Sequence, residues 1–203
     1  MSQIYTYRDG TYKIAKDEKK KVILAIRTDD VPDDPRTWDN LGKMVCFHNK
    51  YKLGDQNHDY HSEDYQGWEE LREAIEKNEE TFMILPLYLY DHSGITISTK
   101  PFGSQWDSGQ VGWIFVTKKE VEKNWPIETI VGEGQRIVRE CLEAEVKLYD
   151  QYLRGDIYEF ILEDSEGNMI DSCSSFFGDD FKENGMAEHL GDYAYLLDKL
   201  EDP

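Results

Sequence analysis

The chain has 203 residues, and its 42 acidic against 23 basic side chains give a formal net charge of −19 at pH 7. Hydrophobic residues make up 39% and aromatic residues 13% of it, a composition that predicts a folded core and excludes a disordered acidic chain. Because nucleic-acid affinity depends on a basic surface that displaces counterions, this charge argues against binding DNA or RNA, and equally against an anionic membrane.

The sequence also indicates a compartment. The first ten residues are polar and lack the basic and apolar regions of a signal peptide. The longest apolar run, residues 82–90, is much shorter than the roughly 20 residues that span a bilayer. Cys46, Cys141 and Cys173 are an odd, scattered set, which fits a reducing compartment better than a disulfide framework. We therefore expect a cytoplasmic protein without membrane contact.

Alternating apolar residues and turn signals predict the elements of the first half of the chain. Asp9-Gly10 is typical of a two-residue hairpin turn, and Trp68, Leu71 and Ile75 are spaced as one face of a helix. The predicted elements are a hairpin of residues 4–8 and 11–14, strands at 22–27 and 43–48, and a helix over 62–78.

The same signals predict the elements of the second half of the chain. Thr117 and Glu120 have the spacing of a capping box, which predicts a short helix. The predicted elements are strands at 82–90, 95–99 and 111–116, that short helix, a long helix over 136–153, a hairpin of 157–162 and 169–173, and a C-terminal helix with the apolar stripe Met186, Leu190, Tyr193, Leu197 and Leu200.

Hairpins interspersed with helices favour an α+β fold, with a mostly antiparallel sheet and three or four helices packed on it. No repeat or low-complexity linker divides the sequence, so we predict one α+β domain over residues 1–203, with an acidic C-terminal portion at 151–203. The common glycine-rich nucleotide fingerprints and hydrolase motifs are absent from the sequence.

The negative charge is concentrated near the C-terminus. Residues 1–50 hold 10 basic and 8 acidic side chains, a net +2, whereas residues 151–203 hold 3 and 14, a net −11. One interpretation is a solubilising surface. The other is a patch that imitates DNA and binds a basic groove on a partner protein. The residues predicted to form this acidic surface are Glu69, Glu73, Glu76, Asp179, Asp180 and Glu183.

Histidines and polar loops suggest a further kind of site. His58 and His61 have a spacing that can hold a metal on a helical turn, with His48 or His92 as a third ligand. No cysteine pair or longer ligand pattern accompanies them, so exposed loop histidines are the favoured interpretation, and we predict neither a metal nor a cofactor.

Residues 90–113 are the most unusual stretch of the sequence. They contain Asp91 and His92 at a predicted hairpin tip, and Trp106, Asp107 and Gln110 around the next loop. Either these are ordinary turns, or they form a polar pocket in which His92 is a general base or ligand-binding group and Trp106 stacks on a ring. The predicted strand order places the tip and the loop at opposite ends of the sheet, which argues against a catalytic triad.

Cys173 lies at the end of a predicted strand, among polar neighbours. A cysteine there is usually a small buried residue. It is a nucleophile only if a histidine lies beside it. Together with His92 and Asp107, Cys173 completes the set of candidate catalytic residues.

Several segments resemble a family of uncharacterised proteins encoded by phages and mobile elements. The resemblance covers about residues 20–180 and is carried by CFHNKYKLGD at 46–55, YDHSGITIS at 90–98, WDSGQVG at 106–112, EVKLYDQYLRG at 145–155 and DSC at 171–173. It implies a non-structural product made in the bacterial host cytoplasm. The polar residues matching these motifs are His48, Tyr51, Asp55, Asp91, His92, Trp106, Asp107, Gln110 and Cys173.

Two functions follow as hypotheses. The first is an accessory phage-type protein that inhibits a host defence or nucleic-acid-binding complex, by presenting its acidic surface to a basic groove. The alternative is a small-molecule-binding protein or small enzyme with a polar pocket around His48, Asp55, His92 and Asp107, in which the acidity only solubilises the protein. The sequence does not decide whether the protein is an enzyme.

Overall fold

The computed structural model describes residues 10–104, 106–125 and 134–203. They form eight strands in two antiparallel sheets, together with four α-helices, which confirms the predicted α+β class. Contacts group the chain into two compact units: a central unit, Asp34–Arg154, and a terminal unit, made of Met1–Asp33 and Gly155–Pro203. Each unit contains one of the sheets. The number of independently folding domains, expected to be one, stays a prediction.

The central sheet has the strand order β3-β6-β4-β5. Its strands are β3 (Lys43–Cys46), β4 (Thr81–Asp91), β5 (Ile95–Ser98) and β6 (Ser108–Thr117). Three α-helices belong to the same unit: α1 (Trp68–Asn78), α2 (Lys118–Asn124) and α3 (Gln135–Arg154). Two one-turn 3-10 helices, Pro35–Thr37 and Ser62–Asp64, lie in the loops around β3.

Both faces of the central sheet are buried. On one face, Met44 and Ile114 pack with Leu142 and other apolar residues of α3. On the opposite face, Phe115 packs with Leu71 of α1. Burial on both faces explains why the β6 sequence is almost continuously apolar. A strand alternates apolar and polar residues only where one of its faces is exposed to water.

The terminal sheet has the order β1-β2-β7-β8. Its strands are β1 (Thr11–Asp17), β2 (Val22–Thr28), β7 (Ile157–Asp164) and β8 (Met169–Phe177), followed by α4 (Met186–Leu190) and a 3-10 helix, Gly191–Lys199. Leu24 and Phe160 pack with Met186 and Leu196 in one core cluster. The predicted strand at residues 4–8 lies outside the described residues, and β1 pairs with β2.

Several element boundaries differ from prediction for local reasons. The first helix begins at Trp68 and not at residue 62, because a 3-10 turn precedes it and Gly67 is extended. The C-terminal stripe is broken at Gly191, whose φ of 52° ends the α-helix before the 3-10 segment. The short helix has the predicted cap, with the Thr117 hydroxyl accepting from the Glu120 amide at 3.2 Å.

Candidate functional site

Most of the predicted polar residues converge at one end of the central sheet. In this antiparallel arrangement β3 and β4 end where β6 begins, since Cys46 pairs with Gly112 and Tyr90 pairs with Ser108. Between Leu87 and Tyr88 the register shifts, so that Val111 is an extra residue on β6. Bulges of this kind change the direction of side chains at the end of a strand.

The loop after β3 is attached to the end of β4 by hydrogen bonds. The Tyr51 hydroxyl lies 3.1 Å from both carboxylate oxygens of Asp91, and Lys50 Nζ lies 3.4 Å from Oδ2. The hydrogen bond with Tyr51, reinforced by Asp91, raises the pKa of Lys50. The cation also lies 4.6 Å from the Tyr51 ring centre. Asp91 is thus oriented and partly neutralised.

His48 is held in one orientation by its own loop. Its ring stacks on Tyr51 with centroids 5.0 Å apart, and its Nδ1 accepts from the backbone amides of Lys50 and Tyr51 at 3.2 and 3.3 Å. Because Nδ1 accepts, the neutral ring carries its proton on Nε2. His48 therefore offers a hydrogen-bond donor to a bound molecule.

The expectation that the hairpin tip and the next loop lie at opposite ends of the sheet is wrong. Asp91 N donates to Asp107 O at 2.8 Å, and His92 Nδ1 lies 3.7 Å from Asp107 Oδ2. The reason is the brevity of β5, which has four residues. The loop after it returns past the end of β4 and enters β6 beside Tyr90.

Two cavities share this end of the sheet, and we call them together the sheet-end cleft. The larger, about 640 Å³, is lined by residues that include Phe47, His48, Tyr51, Gln56, Trp68 and Gln110. The smaller, about 380 Å³, is lined by residues that include His48, Asp91, Trp106, Asp107, Ser108 and Gln110. His48 and Gln110 belong to both linings, and Trp106 is 96% exposed.

The structure places Asp55 away from the sheet-end cleft, in a largely buried ion network. Arg36 Nε and Nη2 each donate to its carboxylate at 2.9 Å, and Arg36 Nη1 donates to Glu145 at 3.1 Å. Asp55 Oδ2 also accepts from the Met44 amide. A carboxylate engaged in this way holds a loop in place, and Asp55 is not in the lining of either cavity.

The predicted acidic surface residues are all exposed, in two separate sets. Glu69, Glu73 and Glu76 lie on α1, where Arg72 forms ion pairs with Glu69 and Glu76 at 3.1 and 3.2 Å. The other three acidic residues lie in the terminal unit after β8, where Asp180 accepts from the Lys182 amide at 3.3 Å.

The remaining histidines and Cys173 are placed as follows. His58 contacts Phe47 edge to face, and His61 is exposed. Within residues 10–104, 106–125 and 134–203, no group of three or more His, Cys, Asp or Glu side chains is arranged to hold a metal ion. Cys173 Sγ lies 3.7 Å from Nδ1 of His189, a histidine that belongs to none of the predicted sites.

Sequence reasoning missed the aromatic wall of the larger cavity. Phe47 and Trp68 stack with ring centroids 6.2 Å apart. Phe47 directly follows the last residue of β3, and Trp68 is the first residue of α1. The spacing of Trp68 with Leu71 and Ile75 predicts only the apolar face of a helix, whereas its position at the first turn of α1 also places it in the lining of the cleft. The sequence signal was the cluster of aromatic and amide residues at 65–68.

Comparisons with protein-family models, with curated proteins and with solved structures find no match to this chain. Among the described helices, none combines the length and apolar character that crossing a membrane requires. The resemblance to phage and mobile-element proteins, and the cytoplasmic location it implies, stay predictions.

Proposed function

We propose that the protein binds a small polar ring compound in the sheet-end cleft of the central unit. The observation that carries this proposal is a pair of neighbouring cavities that share His48, Gln110 and Val111 in their linings, beside an almost fully exposed tryptophan. The exposed face of Trp106 can stack on the ring of a bound compound, and concave sites lined by aromatic side chains and a few polar groups are typical of small-molecule binding.

The polar groups of the sheet-end cleft define the chemistry of the ligand. The carboxylates of Asp91 and Asp107 accept hydrogen bonds, Gln110 can accept or donate, and His48 donates through Nε2. A neutral or cationic ring bearing hydroxyl or amino groups satisfies this set. An anion is repelled by Asp107, and less strongly by Asp91, because Lys50 Nζ lies 3.4 Å from Asp91 Oδ2. Neutral nucleosides and monosaccharides are compounds of this class.

The role of Trp106 can be tested by ligand-observed NMR with a panel of neutral nucleosides and monosaccharides. We expect saturation transfer to at least one compound, and a loss of affinity of about tenfold in Trp106→Ala, since stacking on an aromatic ring is worth about 1–3 kcal/mol. Trp38→Ala is the control, because Trp38 is a partly exposed tryptophan of the same unit outside both cavity linings. A panel without a binder, or equal loss in both variants, contradicts the proposal.

A second candidate function is inhibition of a host defence or nucleic-acid-binding complex through the acidic surface. The exposure of all six predicted carboxylates favours it. Arg72 pairs with two of the three glutamates on α1, so this set presents less net charge than the sequence suggests. Asp179, Asp180 and Glu183 form the other set, and each set is tested separately.

Charge reversal distinguishes this function from ligand binding in the cleft. We expect a basic partner captured from host lysate at about 50 mM salt to be released by about 200 mM, because salt screens exposed charges. Changing either acidic triplet to lysine should abolish capture, and changing the same triplet to glutamine should weaken it less. Capture that survives reversal of both triplets overturns the acidic-surface hypothesis.

A further inference from the structure

We propose that Cys173 and His189 form a nucleophilic pair in the terminal unit that accepts an acyl group from an activated ester or thioester. Cys173 Sγ lies 3.7 Å from His189 Nδ1, within reach of a hydrogen bond to sulfur. A thiol beside an imidazole is activated by transfer of its proton to the ring. The two residues come from different elements, β8 and α4.

The fold holds both side chains in place. Cys173 is opposite Phe160 in the β7–β8 ladder and packs against the terminal core. His189 meets the ring of Phe176 edge to face, with centroids 5.4 Å apart. The helix that carries His189 is anchored by the buried side chains of Met186 and Leu190. The short distance between sulfur and nitrogen is therefore set by packed elements and not by a loop.

The backbone beside Cys173 leaves the regular ladder. Ser174 and Ser175 together oppose Glu159, which makes a bulge, and Ser175 has a φ of 67°. Its amide donates to Asp29 Oδ2 at 3.1 Å, which holds this unfavourable conformation. Because β8 pairs with β7 alone among the described strands, the bulge lies at an open sheet edge. An electrophile can approach Cys173 from this edge.

The other two cysteines have surroundings that oppose this chemistry. Burial raises the pKa of Cys46 to about 12, and burial also raises the pKa of Cys141. A thiol that resists ionisation is a poor nucleophile. Cys173 is the cysteine that the structure places at a partly exposed position beside an imidazole.

The acyl transfer to Cys173 is a substitution at the acyl carbon. The Cys173 thiol gives its proton to His189, and the sulfur forms a bond to the acyl carbon while the bond from that carbon to the leaving oxygen or sulfur breaks. The leaving group departs with the electron pair and takes the proton from His189. The product is a thioester on Cys173 and a free alcohol or thiol.

The test uses the full-length protein and p-nitrophenyl acetate at pH 7. We expect p-nitrophenol release equal to one acetyl group per chain, located on Cys173 by peptide mass spectrometry. His189→Ala should slow acetylation about 100-fold, the lower end of what a general base contributes, and added imidazole should restore part of the rate. Glu188→Gln, at the adjacent exposed position on the same helix, should not change it.

Rescue by imidazole separates a catalytic role of His189 from a structural one, because a disturbed fold is not repaired by the free base. Circular dichroism of each variant checks that the fold is kept. The proposal is overturned if acetylation is as fast in folded His189→Ala as in the unchanged protein. It is also overturned if the acetyl group is found mainly on Cys141 or on lysines.

Discussion

Replacing Arg36 with alanine is expected to lower the free energy of unfolding of the central unit by about 3–5 kcal/mol, the range for removing one partner of a buried ion pair. The Arg36 side chain is 4% exposed, and its partners Asp55 and Glu145 are 11% and 16% exposed. Without the guanidinium, two carboxylates are left close together in a poorly solvated place.

The ion network of Arg36, Asp55 and Glu145 also makes hydrogen bonds with the backbone, which increases the loss of stability expected in Arg36→Ala. Arg36 Nη2 donates to the Gly42 carbonyl at 2.7 Å, and Glu145 Oε1 accepts from the Leu41 amide at 2.7 Å. Burial raises the pKa of Glu145 despite the opposing effect of Arg36. The ionised carboxylate thus already costs stability at neutral pH, and without Arg36 only the amides of Leu41 and Gly42 compensate that cost.

Urea denaturation followed by tryptophan fluorescence measures the change, and Arg72→Ala is the matched control. Arg72 also pairs with two carboxylates, Glu69 and Glu76, but its side chain is 39% exposed and those of its partners are 68% and 41% exposed. Exposed pairs are worth about 0–1 kcal/mol each. Similar losses in the two variants would show that the Arg36 network contributes no more than a surface pair.

Replacing Gly112 with alanine is expected to destabilise the central unit by about 3 kcal/mol or more, at or above the upper end for overpacking. A methyl group there would lie 2.0 Å from the Val45 carbonyl oxygen and 2.8 Å from the Cys46 Cα. Both atoms belong to the backbone of β3, so no side-chain rotation can make room. The substitution should separate β3 from β6 and open the sheet-end cleft.

Gly109→Ala is the control for this prediction. Gly109 lies on the same strand, and a methyl group there meets nothing within 4 Å. We expect a change within about 0.5 kcal/mol, as for surface substitutions generally. Thermal unfolding of both variants gives the comparison. Equal melting temperatures for the two would contradict the close approach of β3 and β6.

Most elements of the fold could be predicted because they depend on local patterns. Thr117 caps its helix as its spacing with Glu120 indicated, and the β7–β8 hairpin follows its alternating residues. The boundaries that failed, at Trp68 and Gly191, depend on single backbone conformations. The division into two sheets was not predicted, since it depends on β2 pairing with β7, whose paired residues are 130 to 142 positions apart.

The candidate site was predicted in composition but not in arrangement. His48, Tyr51, Asp91, Trp106, Asp107 and Gln110 do come together at one end of the central sheet. Asp55 lies apart from them, because its carboxylate forms an ion pair with Arg36. No sequence signal links Arg36 with Asp55 and Glu145, which lie in a 3-10 helix, a loop and an α-helix.

By itself the sequence determined the α+β class, the periodic elements and the excess of negative charge, since composition and residue spacing encode these properties locally. The tertiary structure alone decided which polar residues are neighbours. A short β5 brings His92 to Asp107, and the packing of α4 beside β8 brings His189 to Cys173. Such distances follow from strand register and helix packing, which depend on contacts between residues far apart in the chain.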